Sequence, residues 1–285
     1  MRILSIANQK GGVGKTTTSV NLAASLAAYK KRVLLVDIDP QGNATMGSGI
    51  NKQDCKLSVY HVLTEKNTIE DVIVTAEQGK YHLLPSNGDL VAAEVELMQE
   101  IGRESRLRHA IKRVASNYDY VIIDCPPSLN MLTVNALVAS DGVLIPMQCE
   151  YYALEGLSAL NNTIRQIAKL INPRLKIEGI LRTMYDPRSS LTNAVSAQLR
   201  KYFGDRVYRV SIPRNVRLAE APSHGMPALV YDRNSKGSVA YLALAGEILR
   251  QEKEQQAQKT QLCSLKYAEY ICSPKRAAKN VKLKM

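Results

Sequence analysis

Eight consecutive residues, Lys10-Gly11-Gly12-Val13-Gly14-Lys15-Thr16-Thr17, combine three glycines, two cations and two hydroxyls. Gly11, Gly12 and Gly14 admit backbone conformations and close approaches that a Cβ would obstruct, so successive N–H groups can converge on one anion. In a loop of that kind Lys15 reaches the β and γ phosphates of a nucleotide and the Thr16 hydroxyl ligates Mg²⁺. Val13 and Thr17 complete the cradle. A glycine-rich turn alone would leave Lys15-Thr16 unexplained. The common pattern G-x-x-x-x-G-K-[ST] asks for glycine at position 9, where this chain has Gln9. Lys10 is an additional cation in a loop that Lys15 already serves, which points to charge neutralisation elsewhere, such as on a nucleotide held by another subunit.

Two sets of carboxylates stand where they could complete such a site. Asp37 and Asp39 follow the apolar run 33–36, and Asp124 follows the run 120–123. Asp124 suits Mg²⁺, usually through water, because hard cations take oxygen ligands. Asp39 suits the orientation of the attacking water in phosphoryl transfer, where positioning and electrostatics supply nearly all of the catalysis. Asp37 is read as a partner for a neighbouring backbone. An acid after a buried strand is often only a turn or cap; the loop gives these acids their meaning.

The elements that must position these groups are legible as short, continuous apolar runs: 3–7, 33–36, 120–123, 142–146, 177–181 and 207–212. Continuous rather than alternating apolar character predicts strands covered on both faces, as in a parallel sheet. After Thr16, Val20, Ala23, Ala24 and Ala27 fall on one helical stripe, with Leu22, Leu26 and Tyr29 beside it, and Lys30, Lys31 and Arg32 are expected to close that helix. Residues 90–115 read as helix interrupted near Gly102. The alternation predicts an α/β fold with a doubly wound, mostly parallel sheet and helices on both faces, whose ligands lie beyond the carboxyl ends of the strands.

A net charge of +12 implies a polyanionic partner, nucleic acid above all, since cations that neutralise phosphates release condensed counterions. Residues 251–285 hold eight lysines and arginines against three glutamates, so the preceding 250 residues are basic without them. That segment is almost wholly polar at first, then broken by Pro274, and is expected to be a poorly ordered tail, 251–285, behind an ATPase domain, 1–250. No stretch approaches the ~18 apolar residues of a membrane span, and polar Asn8, Gln9 and Lys10 arrive before a signal-peptide apolar region develops. A cytoplasmic location is expected, with the five cysteines (55, 125, 149, 263, 272) as reduced thiols. Cys125 is read as a small core residue and His224 as a packing residue.

Taken together, Lys10 to Thr17, Asp37-Ile38-Asp39-Pro40-Gln41-Gly42-Asn43-Ala44-Thr45, Asp124-Cys125-Pro126-Pro127-Ser128, the segment from Gln148 to Gly156 and the segment from Ile212 to Gly225 resemble the ParA family of chromosome and plasmid partitioning ATPases, especially its short Soj-like branch. The first motif is shared with MinD and nitrogenase iron protein; the later ones narrow the resemblance, which spans about residues 1–250. It implies ATP and Mg²⁺ as cofactors, an ATP-bound homodimer closed face to face, non-specific DNA binding over the nucleoid, and release when a ParB-type partner stimulates hydrolysis. It makes Lys10 the lysine that crosses to the partner's nucleotide, gives Thr16 to Mg²⁺, Asp39 to the hydrolytic water and Asp124 to the second acidic position. Pro213 and Asn215 would border the adenine, and Arg188 and Arg217 would contact DNA; charge alone adds Arg214, Lys201 and Arg206.

Because the loop begins near residue 10, no N-terminal helix-turn-helix is expected, and hence no site-specific repression. The main rival is a membrane-cycling ATPase of the MinD kind, whose amphipathic C-terminal helix Leu262, Leu265 and Ile271 only hint at; no stable membrane association is expected. An iron–sulfur protein would need paired cysteines, and a vestigial nucleotide site would not keep Lys10, Lys15, Asp39 and Asp124 together.

Overall fold

The computed structural model describes residues 1–151 and 153–272. A single eight-stranded sheet organises the unit Met1–Ala245, with Gly246–Met285 a second unit. The strands are β1 (Arg2–Ile6), β2 (Val33–Asp37), β3 (Val74–Ala76), β4 (Tyr81–Leu84), β5 (Tyr120–Asp124), β6 (Gly142–Gln148), β7 (Lys176–Tyr185) and β8 (Val207–Pro213), in the order β3-β4-β2-β5-β1-β6-β7-β8. Every pairing is parallel except β3 with β4. The six runs expected to be strands are strands. Their continuous apolar character has the expected cause: Leu4, Ile6, Leu34, Leu35, Val36, Val121, Ile122 and Ile123 are all fully covered. The chain leaves β1 for one half of the sheet and returns to its other side at β6, so the order reverses at β1, where ligands of doubly wound sheets bind.

Register sets the site. Ile6 is opposite Asp124 on β5, and Asp37 is opposite Asp124 from the other side, so β2, β5 and β1 end in a row. The helix Lys15–Ala28 starts from the loop after β1 and is buried over most of its circumference, because it packs against the sheet while other helices cover it. This departs from the single stripe expected. Its closing also differs: the helix ends at Ala28, Lys30 turns left-handed (φ 60°), and Arg32 bonds to Asp119 rather than to the helix end.

Residues 90–115 break where glycine permits it, with Gly102 at φ 69° between the helices Leu90–Leu97 and Arg106–Arg113. β3 and β4 escaped the sequence reading, being only three and four residues long at the sheet's edge. The segment after Arg250, expected to lack order, carries on as helix to Cys272 within Lys236–Cys272. Its Glu, Gln, Lys and Ala are strong helix formers, a signal that low hydrophobicity concealed. Pro274 and the rest of 273–285 lie outside the described residues, as does Tyr152.

Candidate functional site

The loop Lys10–Gly14 hangs between three strand ends and is tied to them by backbone and side-chain bonds. Asn8 Nδ2 donates to the Pro146 carbonyl at 2.7 Å and Asn8 Oδ1 accepts from the Lys10 N–H at 3.0 Å. Thr183 Oγ1 donates to the Val13 carbonyl at 2.8 Å, and Gln148 Nε2 to the Gly12 carbonyl at 3.1 Å. Gly12 (φ 72°) and Gly14 (φ 87°) are left-handed, the conformation for which glycine is needed. A Cβ on Gly11 or Gly12 would meet nothing within 4 Å: it would project into the open space that an anion must fill. Gly14 then caps the helix, whose first bond runs from the Thr18 N–H to the Gly14 carbonyl at 2.9 Å. Unpaired N–H groups and the helix's positive end thus face the same cradle.

Lys15 is largely buried, its ammonium donating to the Lys10 carbonyl at 3.1 Å. Burial holds its pKa below the ordinary lysine value, against the opposing pull of Asp124 and Asp39. Thr16 Oγ1 donates to Asp124 Oδ2 at 2.8 Å, and Ser19 Oγ to Asp124 Oδ1 at 2.6 Å. Asp124 is completely buried. Burial, and next the Asp37 charge, push its carboxyl far above the usual carboxylate range. Asp37 is likewise buried and raised by desolvation; it accepts from the Thr45 N–H and Oγ1 at 2.8 and 2.7 Å and from the Asp39 N–H at 3.2 Å. It holds the chain after β2 in place, the backbone partnership expected of it. Asp39, mostly covered, accepts from the Gln41 N–H at 3.0 Å.

Lys10 stands apart from this cluster. Its ammonium pairs with Glu150, both side chains about half exposed. Thr17 lies in the first turn of the helix and, with Gly14, Thr183, Met184, Pro213 and Asn215, lines a cavity of about 180 Å³. The Asn215 Oδ1 is buried and accepts no hydrogen bond among the described residues. Pro213 and Asn215 therefore come together with the phosphate loop although some 200 residues separate them.

The proposed DNA-contact arginines are differently disposed. Arg188 is 88% exposed and pairs with Asp186 at 3.0 Å; Arg214 is exposed and close enough to help lower the Asp186 carboxyl, after Arg188 itself. Arg217 is committed, to Glu220 at 2.8 Å and Asp232 at 3.3 Å, with its guanidinium 6.0 Å from the Tyr231 ring. Lys201 and Arg206 are exposed at the end of the helix Ser190–Phe203 and just beyond it. Cys125 is a buried free thiol whose pKa burial drives up, as a core residue's should be, and Cys55 and Cys149 are also free. His224 stacks on Tyr231 with ring centroids 4.9 Å apart. Sequence reasoning overlooked Ser19, Thr45, Gln148 and Thr183. The first stands one helical turn beyond Thr16, and the last two at strand ends on the ligand side of the sheet, signals that were available.

Comparison with known proteins agrees with this arrangement. A family model described as an AAA domain matches residues 1–177. The sporulation initiation inhibitor protein Soj of Bacillus subtilis is 56% identical over 247 residues, covering 87% of this chain and 98% of that protein. Chromosome partitioning protein ParA of Myxococcus xanthus is 51% identical, over 88% of this chain and 89% of its own. Among solved structures, cobyrinic acid a,c-diamide synthase from Mycobacterium smegmatis, with bound ATP analog and magnesium, superposes with a TM-score of 0.78 at 37% identity, over 89% of this chain and 96% of that one. With 56% identity to Soj along nearly the full length of that relative, the chain belongs to the ParA/Soj family of chromosome-partitioning P-loop ATPases.

Proposed function

We propose that this chain is a DNA-partitioning switch: it closes as a homodimer around ATP, binds DNA without sequence preference in that state, and lets go when a ParB-type partner accelerates hydrolysis. One observation carries the nucleotide half of the proposal. A cradle with left-handed Gly12 and Gly14 opens beside a cavity lined by Pro213 and Asn215, and the covered Asn215 Oδ1 has no hydrogen-bond partner among the described residues. Adenine offers an exocyclic amino donor of the required kind, and the distance from cradle to cavity is bridged by Gly14 and Thr17, which border both.

The donor set also fits Mg²⁺. Among the described residues no three His, Cys, Asp or Glu side chains form a self-sufficient metal site, whereas a hydroxyl on a buried carboxylate suits an ion that takes most of its ligands from phosphates and water. Thr16, and Asp124 through water, would hold the ion, which supplies positive charge to the β and γ phosphate oxygens. Lys15 would neutralise the same oxygens, and backbone N–H groups of the loop would orient them. Asp39 would hold the attacking water against the γ phosphorus. As the water oxygen bonds to phosphorus, the bond to the β,γ-bridging oxygen breaks, ADP leaves with that electron pair, and the water's proton passes by Asp39 to phosphate. Lys10 would leave Glu150 and meet the nucleotide of the partner subunit.

For DNA, Arg188 and Arg214 form the core of the proposed surface, with Lys201 and Arg206 extending it. Arg217 would join only by exchanging Glu220 for a phosphate. Gel retardation with ATP, ADP and no nucleotide tests the switch. Retention with ATP alone is expected, persisting in Asp39→Ala and lost in Arg188→Glu while ATP still binds. Equal retardation under all three conditions sinks the proposal.

A further inference from the structure

The phosphate loop's own residues leave Gln148 without an assignment. It is the last residue of β6, in register with Thr183 on β7. These two neighbouring strand ends hold two successive loop carbonyls, Gln148 that of Gly12 and Thr183 that of Val13. In a trans peptide the N–H points opposite to the C=O of the same plane. Fixing those two carbonyls therefore aims the N–H groups of Val13 and Gly14.

The same Gln148 Nε2 lies 2.8 Å from the Met184 Sδ, and a primary amide has two N–H groups, enough for both bonds. Met184 is on the wall of the cavity with Pro213 and Asn215. Its backbone is left-handed (φ 48°), a conformation that an unbranched non-glycine residue keeps only where its surroundings impose it. The pairing of β7 with β8 shifts register between Arg182 and Tyr185, around that same residue. Thus a strained residue on the cavity wall touches an amide whose other hydrogen sets the loop.

We propose that Gln148 is a positioning residue that couples the base cavity to the phosphate loop: a base seated against Met184 fixes the Gln148 amide, and the amide fixes the Gly12–Val13 peptide for phosphate. The coupling rests on the reading that adenine occupies this cavity. It makes the base contribute to phosphate binding through the protein as well as by its own contacts.

The test compares MgATP with magnesium tripolyphosphate, which lacks a base, by titration calorimetry on the full chain. In Gln148→Ala the ATP dissociation constant is expected to rise about tenfold, within the range of linked sites, and that of tripolyphosphate to rise clearly less, by the loss of the Gly12 bond alone. Met184→Leu, which keeps the bulk and removes the sulfur acceptor, should weaken ATP in the same direction, and the double variant should lose no more than Gln148→Ala alone. Equal weakening of both ligands, or additive losses, would reduce Gln148 to a brace of the loop and overturn the coupling. Photolabelling with 8-azido-ATP separates the two claims. Label within 183–219 supports the adenine site independently of the variants; label elsewhere removes that site and the coupling with it.

Discussion

The strand Tyr120–Asp124 has an aspartate at each end of its run, and the two are treated in opposite ways. At the amino edge Asp119 is partly solvated and accepts from the Arg32 backbone N–H and guanidinium, each at 2.9 Å, which pulls its carboxyl down to about 2. Five residues on, Asp124 is wholly buried beside Asp37, with two hydroxyls for partners, and its carboxyl is driven up. The amino edge places each acid against an arginine: Asp141 lies near Arg174, Glu178 against Arg2. The carboxyl edge gathers three aspartates around Lys15, a cation itself depressed by burial. One edge is built to hold the sheet together. The other leaves an electrostatic imbalance of the kind that a metal–phosphate ligand relieves, as functional sites commonly do.

The largest way to break this contrast is Lys15→Ala, which removes the buried cation set among those aspartates. ATPase kcat/KM should fall roughly a thousandfold, the upper range for one preorganised electrostatic donor; a loss under tenfold would mean that the loop amides suffice. Asp39→Ala comes next, with kcat lower by about a hundredfold and ATP affinity retained, since the acid acts on water rather than on bound nucleotide. Equilibrium binding measured beside single-turnover rates separates those effects.

Asp124→Asn sharpens the comparison, because it should change stability and activity in opposite directions. The nucleotide-free protein gains on the order of 1 kcal/mol by losing a buried carboxyl near Asp37, while the Mg²⁺ concentration needed for half-maximal activity rises. Urea unfolding and metal titration read the two; a destabilised variant would show that the Thr16 and Ser19 bonds outweigh the crowding. The smallest effect belongs to the amino edge. The folded Asp119 carboxyl lies below its unfolded value of 3.8, so its contribution is present above that pH and is lost as pH falls toward about 2. For so exposed a pair the worth is under about 1 kcal/mol. Asp119→Asn should lower stability by that much at neutral pH and flatten the acid limb of the unfolding profile.

How much of this the sequence disclosed follows from how local each cause is. The six long strands were visible because burial on both faces writes itself as continuous apolar runs. β3 and β4 were not, because a strand of three or four residues has too few positions to show a period. Lys15, Thr16, Asp39 and Asp124 were legible as neighbours because each stands at or just beyond an element's end. Pro213 and Asn215 came only from family resemblance, for nothing local in Ile212 to Asn215 says that it returns to the phosphate loop. Ser19 and Thr45 were missed for the opposite reason: a hydroxyl in a helix ordinarily bonds its own turn, and only the fold brings these two to Asp124 and Asp37. The end of the first helix was misjudged because Lys30 to Arg32 suit a helix terminus by charge, whereas the left-handed turn at Lys30 sends Arg32 toward Asp119.

The bond from the Lys15 ammonium to the Lys10 carbonyl has a consequence for the order of events at the loop. The ammonium donates to a peptide oxygen, so a triphosphate bound by Lys15 would replace one oxygen partner with another. That exchange unfastens the main chain at Lys10, whose side chain is held at its other end only by a half-exposed glutamate. Under the proposed switch, nucleotide capture thereby loosens the backbone of the same residue whose side chain is proposed to reach the partner's nucleotide.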